Sequence, residues 1–196
     1  MEETIFYLLR HGETDWNRQH RFQGRENVPL NAAGLEQARR TGQALAGLGI
    51  RTVVTSPLDR AWQTGQALAE CCGADTVVKD MDLIERDMGV LSGQAAGSQE
   101  AYFFPLPDDS MEPLENVGRR MQRALLRWKD APGPVALVSH GMAINSLLYA
   151  VSGGKVGVGR TLLKNCCVNV LRLGPEGLEL LAANLAPEEV PGLMAP

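Results

Sequence analysis

The chain has 196 residues, of which 44% are hydrophobic and 21% are charged, and its formal net charge is −4. This length predicts one domain over residues 1–196, with a core large enough to need no disulfide or metal. The composition excludes a disordered chain, and the small negative charge argues against non-specific binding of nucleic acid.

The sequence also argues against a membrane or secreted protein. No apolar run approaches the ~20 residues of a membrane span. The short run near the start follows acidic residues, unlike a secretory signal. Four cysteines form two adjacent pairs, at residues 71–72 and 166–167, and lack the Cys-x-x-Cys spacing of a zinc site. We therefore expect a cytoplasmic protein with reduced thiols, no metal, no cofactor, and no membrane or nucleic-acid partner.

Alternating strand and helix patterns predict the fold class. Short apolar, β-branched runs predict strands at residues 4–9, 52–55, 76–78, 134–138, 167–173 and 178–182. Helical patterns occupy residues 31–49, a segment that begins near Pro57 with Ser56 as N-cap, residues 114–128 and residues 142–151. The turn from Gly174 to Gly177 predicts a terminal hairpin. Together they predict a three-layer α/β/α domain with a largely parallel central sheet and an antiparallel edge.

Two segments do not follow this alternation. Residues 91–113 are rich in Gly and Pro and contain the aromatic residues Tyr102, Phe103 and Phe104. They predict a small cap over the strand ends, or else a surface loop whose aromatic side chains enter the core. The tail, residues 184–196, contains three prolines and is predicted to be irregular.

Charged residues follow three of the predicted strands. Arg10 and His11 follow the first strand, Arg60 lies shortly after the second, and His140 follows the fourth. In α/β sheets, ligands bind at the carboxyl ends of the strands. If these strands are parallel neighbours, the two histidines and two arginines meet at one edge of the sheet.

Such a group suits the chemistry of a phosphomonoester. Arginines bind phosphate oxygens without losing their charge, and backbone N–H groups at a helix start, such as those of Gly141 and Met142, add donors. Nearby arginines lower the pKa of His11 and keep it neutral for nucleophilic attack, while a protonated His140 would bind phosphoryl oxygens. A carboxylic acid must then protonate the leaving group. Spacing alone leaves its identity open among Glu13, Asp15, Asp82, Glu85 and Asp87.

Four motifs in order resemble those of the histidine phosphatase superfamily, also called the phosphoglycerate mutase-like family. They are LRHGETDWN at residues 9–17, SPLDRAWQT at residues 56–64, LIE at residues 83–85 and LVSHG at residues 137–141. The resemblance implies that His11 becomes phosphohistidine and that Glu85 is the general acid. It also implies that Arg10, Arg60 and His140 complete the phosphate pocket. Asn17 would contact phosphate as well, and Gln23 and Gly24 would line the entrance.

The resemblance implies a metal-independent phosphatase that acts on a small phosphorylated metabolite, such as a sugar phosphate, a phosphoglycerate or ribazole phosphate. The sequence departs from the family pattern at residues 91–92 and 111–113. These residues lie on the cap side of the pocket, so the departures affect which substrate is bound more than the phosphoryl chemistry. A phosphoglycerate mutase is the nearest competing function, but the short cap region favours access of water. The sequence is also compatible with a phosphoprotein phosphatase and with a non-catalytic binder of phosphorylated ligands.

Overall fold

The fold was obtained as a computed structural model that describes residues 3–97 and 109–194. Its strands are β1 (Thr4–Arg10), β2 (Thr52–Thr55), β3 (Thr76–Lys79), β4 (Val135–Ser139), β5 (Val168–Gly174) and β6 (Gly177–Leu185). They form one sheet in the order β3-β2-β4-β1-β5-β6. β1 to β4 are parallel to one another, whereas β5 is antiparallel to both β1 and β6. The largely parallel sheet with an antiparallel edge is confirmed.

Helices cover both faces of this sheet. In the described part of the chain they are α1 (Asp15–Arg18), α2 (Ala32–Leu45), α3 (Asp59–Cys72), α4 (Leu114–Arg127), α5 (Gly141–Val151) and α6 (Val190–Met194). Phe6 and Leu8 of β1 face a core that includes α4 and α5. Tyr7 and Leu9 face a core that includes α2 and α3. Because successive strand residues face opposite sides, the two cores make the predicted three layers.

The strand register decides where the chemistry-bearing residues fall. Arg10 of β1 pairs with Ser139 of β4, so His11 and His140 are the next residues on two adjacent parallel strands. β2 lies on the other side of β4, with Thr55 opposite Val138. The carboxyl ends of three neighbouring strands therefore meet at one edge, as expected.

Two local predictions were wrong. α3 begins at Asp59 with Leu58 as its N-cap, and Ser56 does not cap it, because the Ser56 hydroxyl is hydrogen-bonded to His140. The tail is not irregular throughout its described part: β6 continues to Leu185, and a 3-10 turn and α6 follow. Val190 at the start of α6 is fully buried in the core on the α2 side, which fixes this segment.

The predicted cap is described only at its two ends. Residues 98–108, which contain the aromatic trio, lie outside the described residues, so cap and surface loop both stay predictions. At the described ends, Met88 and Met111 pack with Phe22 in a small separate apolar cluster. None of the helices in residues 3–97 and 109–194 is long and apolar enough to span a membrane.

Candidate active site

A cleft opens at the carboxyl edge of the sheet, where β1, β2 and β4 end. Its lining includes Arg10, His11, Arg60 and Glu85, together with Gln23, Gly24, Gly141 and Met142. The empty space in the cleft, counted together with its mouth, is about 560 Å³. The fold thus gathers in one cleft residues that are far apart in the chain, such as Arg10 and Met142.

The imidazole of His11 is held in one tautomer. Its Nδ1 lies 2.7 Å from the carbonyl oxygen of Gly12, and a carbonyl only accepts, so Nδ1 carries the proton and the lone pair is on Nε2. Burial lowers the pKa of His11 well below its usual value, and the charges of Arg60 and Arg10 lower it further. His11 is therefore neutral and has the electron pair that a nucleophile needs.

Close backbone packing holds the loop that carries His11. A Cβ on Gly12 would lie 2.5 Å from the carbonyl oxygen of Gly34 in α2, and a Cβ on Gly34 would lie 2.0 Å from the carbonyl oxygen of Glu13. The Gly12 N–H also donates to the Thr64 hydroxyl of α3 at 3.0 Å. Only glycine permits this approach, which fixes His11 against two helices.

The two arginines of the cleft are anchored by backbone carbonyls. Arg10 donates to the carbonyl of Leu163 at 2.5 Å, and Arg60 donates to the carbonyls of Glu26 and Gly24 at 2.6 and 2.8 Å. No acceptor in the described part of the chain reaches the buried Nε of Arg10. A buried guanidinium N–H without an acceptor is costly, so it indicates a place for a ligand oxygen.

His140 lies beside His11, with ring centroids 5.1 Å apart. Its Nδ1 accepts from Nε of Arg60 at 3.2 Å, so its proton is on Nε2, which donates to the Ser56 hydroxyl at 2.7 Å. Burial lowers the pKa of His140 well below its usual value, and the charge of Arg60 lowers it further. His140 is therefore neutral in this structure, where a second ring proton would face the Arg60 guanidinium. Its expected protonation during phosphoryl transfer stays a prediction.

The carboxylate of Glu85 is bound by the N-terminal N–H groups of α5. Its carboxylate accepts backbone N–H groups of Ala143 and Arg86 at 2.8 Å each and that of Met142 at 3.2 Å. The positive end of a helix favours such an acidic group. The Met142 N–H, predicted to bind substrate, is thus already engaged in holding the carboxylate that lines the cleft.

The remaining predicted residues differ in their placement. Gln23 and Gly24 line the cleft, and Gln23 accepts from the Thr14 hydroxyl at 3.1 Å. Asn17 does not line the cleft: its Oδ1 accepts from the backbone N–H of Thr14 at 3.1 Å and so completes the capping box of α1. Its expected contact with phosphate stays a prediction.

Several lining residues had no sequence signal. Phe22, Met88 and Leu163 form apolar wall, and Asn145 of α5 presents a buried side chain to the cleft. In the sequence, Asn145 is one polar residue within an apolar helix pattern, which predicts nothing about a site.

The cysteine pair at residues 166–167 lies directly behind this site. The Cys166 N–H donates to the carbonyl of Arg10 at 3.1 Å, and burial raises the pKa of its thiol to about 12. All four cysteines are free. In residues 3–97 and 109–194, no three His, Cys, Asp or Glu side chains cluster in a way that could hold a metal.

A neutral histidine beside two arginines and a carboxylate, at the carboxyl edge of this sheet, is an arrangement suited to an enzyme that handles phosphate. The sequence profile of the histidine phosphatase superfamily (branch 1) matches residues 6–186, and the chain belongs to this family. It is 37% identical over 178 residues to the uncharacterized phosphatase PhoE of Bacillus subtilis (strain 168), covering 88% of this chain and 90% of PhoE. It is 36% identical over 177 residues to the probable phosphoglycerate mutase GpmB of Cronobacter sakazakii, covering 83% of this chain and 82% of GpmB.

Solved structures share the same fold. A mycobacterial glucosyl-3-phosphoglycerate phosphatase in complex with VO3 is similar with a TM-score of 0.78 at 24% identity, over 92% of this chain and 99% of that one. Bacillus stearothermophilus YhfR gives a TM-score of 0.82 at 21% identity, over 95% of this chain and 100% of that one. The predicted phosphoglycerate mutase-like α/β fold is therefore confirmed.

Proposed function

We propose that this protein hydrolyses small phosphomonoesters through a phosphohistidine on His11, without a metal ion. The observation that carries the proposal is the fixed tautomer of a neutral, buried His11, whose Nε2 lone pair shares a cleft with Arg10 and Arg60. Two guanidinium groups match the dianionic phosphate, and a neutral imidazole is the nucleophile that this charge requires.

In the first step, Nε2 of His11 attacks phosphorus, so an N–P bond forms while the ester P–O bond breaks. Arg10 and Arg60 stabilise the phosphoryl oxygens during transfer, and neutral His140 holds Arg60 in place through its Nδ1. Glu85 gives a proton to the leaving oxygen, which departs as the free alcohol.

In the second step, water attacks the phosphohistidine. Glu85 takes a proton from this water, the N–P bond breaks, and inorganic phosphate and neutral His11 are regenerated. Three backbone N–H groups fix the position of the Glu85 carboxylate in the cleft for both steps. The short cap region of the sequence favours access of water, and so hydrolysis over retention of the phosphoryl group.

The names of the relatives support a small phosphorylated metabolite as substrate, since they refer to a phosphatase, a probable phosphoglycerate mutase and a glucosyl-3-phosphoglycerate phosphatase. We further propose that the protein acts in the cytoplasm, where its four free thiols stay reduced. The net charge of −4 supports a small molecule over nucleic acid as its partner.

The proposal is tested by release of inorganic phosphate from a panel of phosphomonoesters at pH 5–8 in the presence of EDTA. We expect turnover by the wild type and a loss of at least about a thousandfold in His11→Ala, with the fold checked by circular dichroism. Activity retained by His11→Ala would contradict the nucleophile. Activity lost in EDTA and restored by Mg²⁺ or Zn²⁺ would contradict metal independence, and phosphate moved between hydroxyls without release would indicate a mutase.

A further inference from the structure

Two buried side-chain atoms in the described part of the chain have no hydrogen-bond partner, and both belong to residues that line the cleft. They are Nε of Arg10, which is a donor, and Oδ1 of Asn145, which is an acceptor. Leaving a buried polar atom unpaired is energetically costly, so such atoms call for an explanation. The proposed phosphate accounts for the donor but not for the acceptor.

The orientation of the Asn145 amide is fixed by its other end. Its Nδ2 donates to the backbone carbonyl of Thr161 at 3.0 Å. The flipped amide would place two oxygens against each other, so Oδ1 is the atom left without a partner. The side chain is only 5% exposed and therefore has little bulk water to satisfy it.

One short segment anchors the two side chains that carry the unpaired atoms. The carbonyl of Thr161 anchors Asn145, and the carbonyl of Leu163, two residues later, anchors Arg10 at 2.5 Å. The matching ligand must therefore offer an acceptor to Arg10 and, within the same cleft, a donor to Asn145. A phosphomonoester whose alcohol carries a further hydroxyl has both groups.

Asn145 lies one helix turn beyond a contact of the proposed proton donor. It follows Met142 by three residues on α5, and the N–H of Met142 donates to Glu85. In a phosphomonoester whose phosphate binds Arg10, Arg60 and His11, a hydroxyl that reaches Asn145 belongs to the leaving alcohol.

We propose that Asn145 is a specificity-determining residue that accepts a hydrogen bond from a hydroxyl group of the leaving alcohol. The enzyme thereby selects polyol or sugar phosphates, and this inference rests on the proposed function. A carboxylate in that position has no proton to give to Oδ1. An ammonium group has one, but Arg10 and Arg60 already place two positive charges in the cleft.

The test compares two alkyl phosphates that differ in their hydroxyl groups, glycerol 3-phosphate and propyl phosphate. The measured quantity is the ratio of their kcat/KM values, determined for the wild type, Asn145→Ala and the near-isosteric Asn145→Leu. We expect the wild type to favour glycerol 3-phosphate about tenfold and both variants to bring the ratio close to one. Ser146→Ala is the matched control, because Ser146 is buried on the same helix but does not line the cleft.

A wild-type ratio near one overturns the inference and needs no variant. An equal fall in kcat/KM for both esters in Asn145→Ala and Asn145→Leu also overturns it, because a purely structural role affects both alike. If the wild type prefers phosphoethanolamine to glycerol 3-phosphate, Asn145 accepts from an ammonium group, and the proposed bond from a hydroxyl is contradicted. Hydrolysis of p-nitrophenyl phosphate by the wild type is the control for the proposed function. If it occurs, a negative result in the comparison above concerns Asn145 and not the phosphatase activity.

Discussion

At the scale of single residues, the site keeps two imidazoles neutral in a setting that opposes their protonation. His11 and His140 are 2% and 0% exposed, and burial is the main cause that lowers both pKa values, with Arg60 adding to it. Neutral His11 carries its lone pair on Nε2, and the Nδ1 of neutral His140 accepts a hydrogen bond from Arg60. The same arrangement has a consequence for stability in acid.

We predict that the free energy of unfolding decreases as pH falls below about 6.5. In the unfolded chain both histidines take up protons near their usual pKa of 6.5, whereas in the native state their lowered pKa values prevent it. Each histidine therefore contributes a loss whose slope approaches about 1.4 kcal/mol per pH unit below pH 6.5, until its native pKa is reached. Denaturant titrations of the wild type from pH 7 to pH 5.5 measure this slope.

His11→Ala isolates the contribution of one histidine, because all carboxyl groups are shared with the wild type. As the pH falls, the free energy of unfolding of this variant should decrease less steeply than that of the wild type, because unfolding takes up one proton fewer. Equal slopes in the two proteins would show that His11 does take up a proton in the native state.

At the scale of elements, a buried ion pair holds the segment that carries Glu85. Arg120 of α4 makes a bidentate salt bridge with Glu112, at 2.9 and 3.0 Å. The same guanidinium donates to the carbonyls of Asp82 and Ile84, immediately before Glu85. Burial opposes the charge of Glu112, but hydrogen bonds and charge from Arg120 hold its pKa below the usual value. Arg120 is thus a positioning residue for the proposed acid.

We predict that Arg120→Met destabilises the protein by about 3–5 kcal/mol, because it leaves Glu112 buried without its main partner. Arg120→Lys keeps the charge but loses the bidentate geometry, and we expect it to fold with a misplaced Glu85. In this variant, hydrolysis of an alkyl phosphate should fall about tenfold more than that of p-nitrophenyl phosphate, since only the basic alkoxide needs a proton.

Arg119→Met is the control for this pair of variants. Arg119 is the neighbouring residue on α4, its side chain is 65% exposed, and it pairs with Glu115 at the surface. Its removal should change stability by less than about 0.5 kcal/mol and leave the leaving-group dependence unchanged. Equal losses on both substrates in Arg120→Lys would contradict the positioning role.

At the scale of the whole molecule, the strand order brings the site together. His11 and His140 meet because β1 and β4 are adjacent and parallel, with Arg10 opposite Ser139. The sequence predicted the strands and the residues that follow them, since each motif is local to a strand end. The rule that ligands bind at the carboxyl ends of parallel strands then placed the site, on the condition that the strands before His11 and His140 are neighbours.

Other features depended on contacts between distant segments and had no local signal. Asn145 has the pattern of an ordinary helix residue until Thr161 fixes its amide and the cleft faces it. The prolines of the tail predicted an irregular segment, yet Val190 is buried in a core built from β1, α2 and α3. Ser56 has the residue type of an N-cap, but bonding to His140 outweighs that local preference. Tertiary contacts decided all three cases.

The central claim is that the phosphoryl group passes through His11, and rapid quenching with a ³²P-labelled substrate tests it most directly. We predict a covalent, acid-labile and alkali-stable label on the peptide that contains His11. With labelled p-nitrophenyl phosphate, whose leaving group needs no proton, the label should be found in the wild type and accumulate further in Glu85→Gln, where attack by water lacks its base. A label on any other residue, or no label in either protein while phosphate is released, would contradict the account.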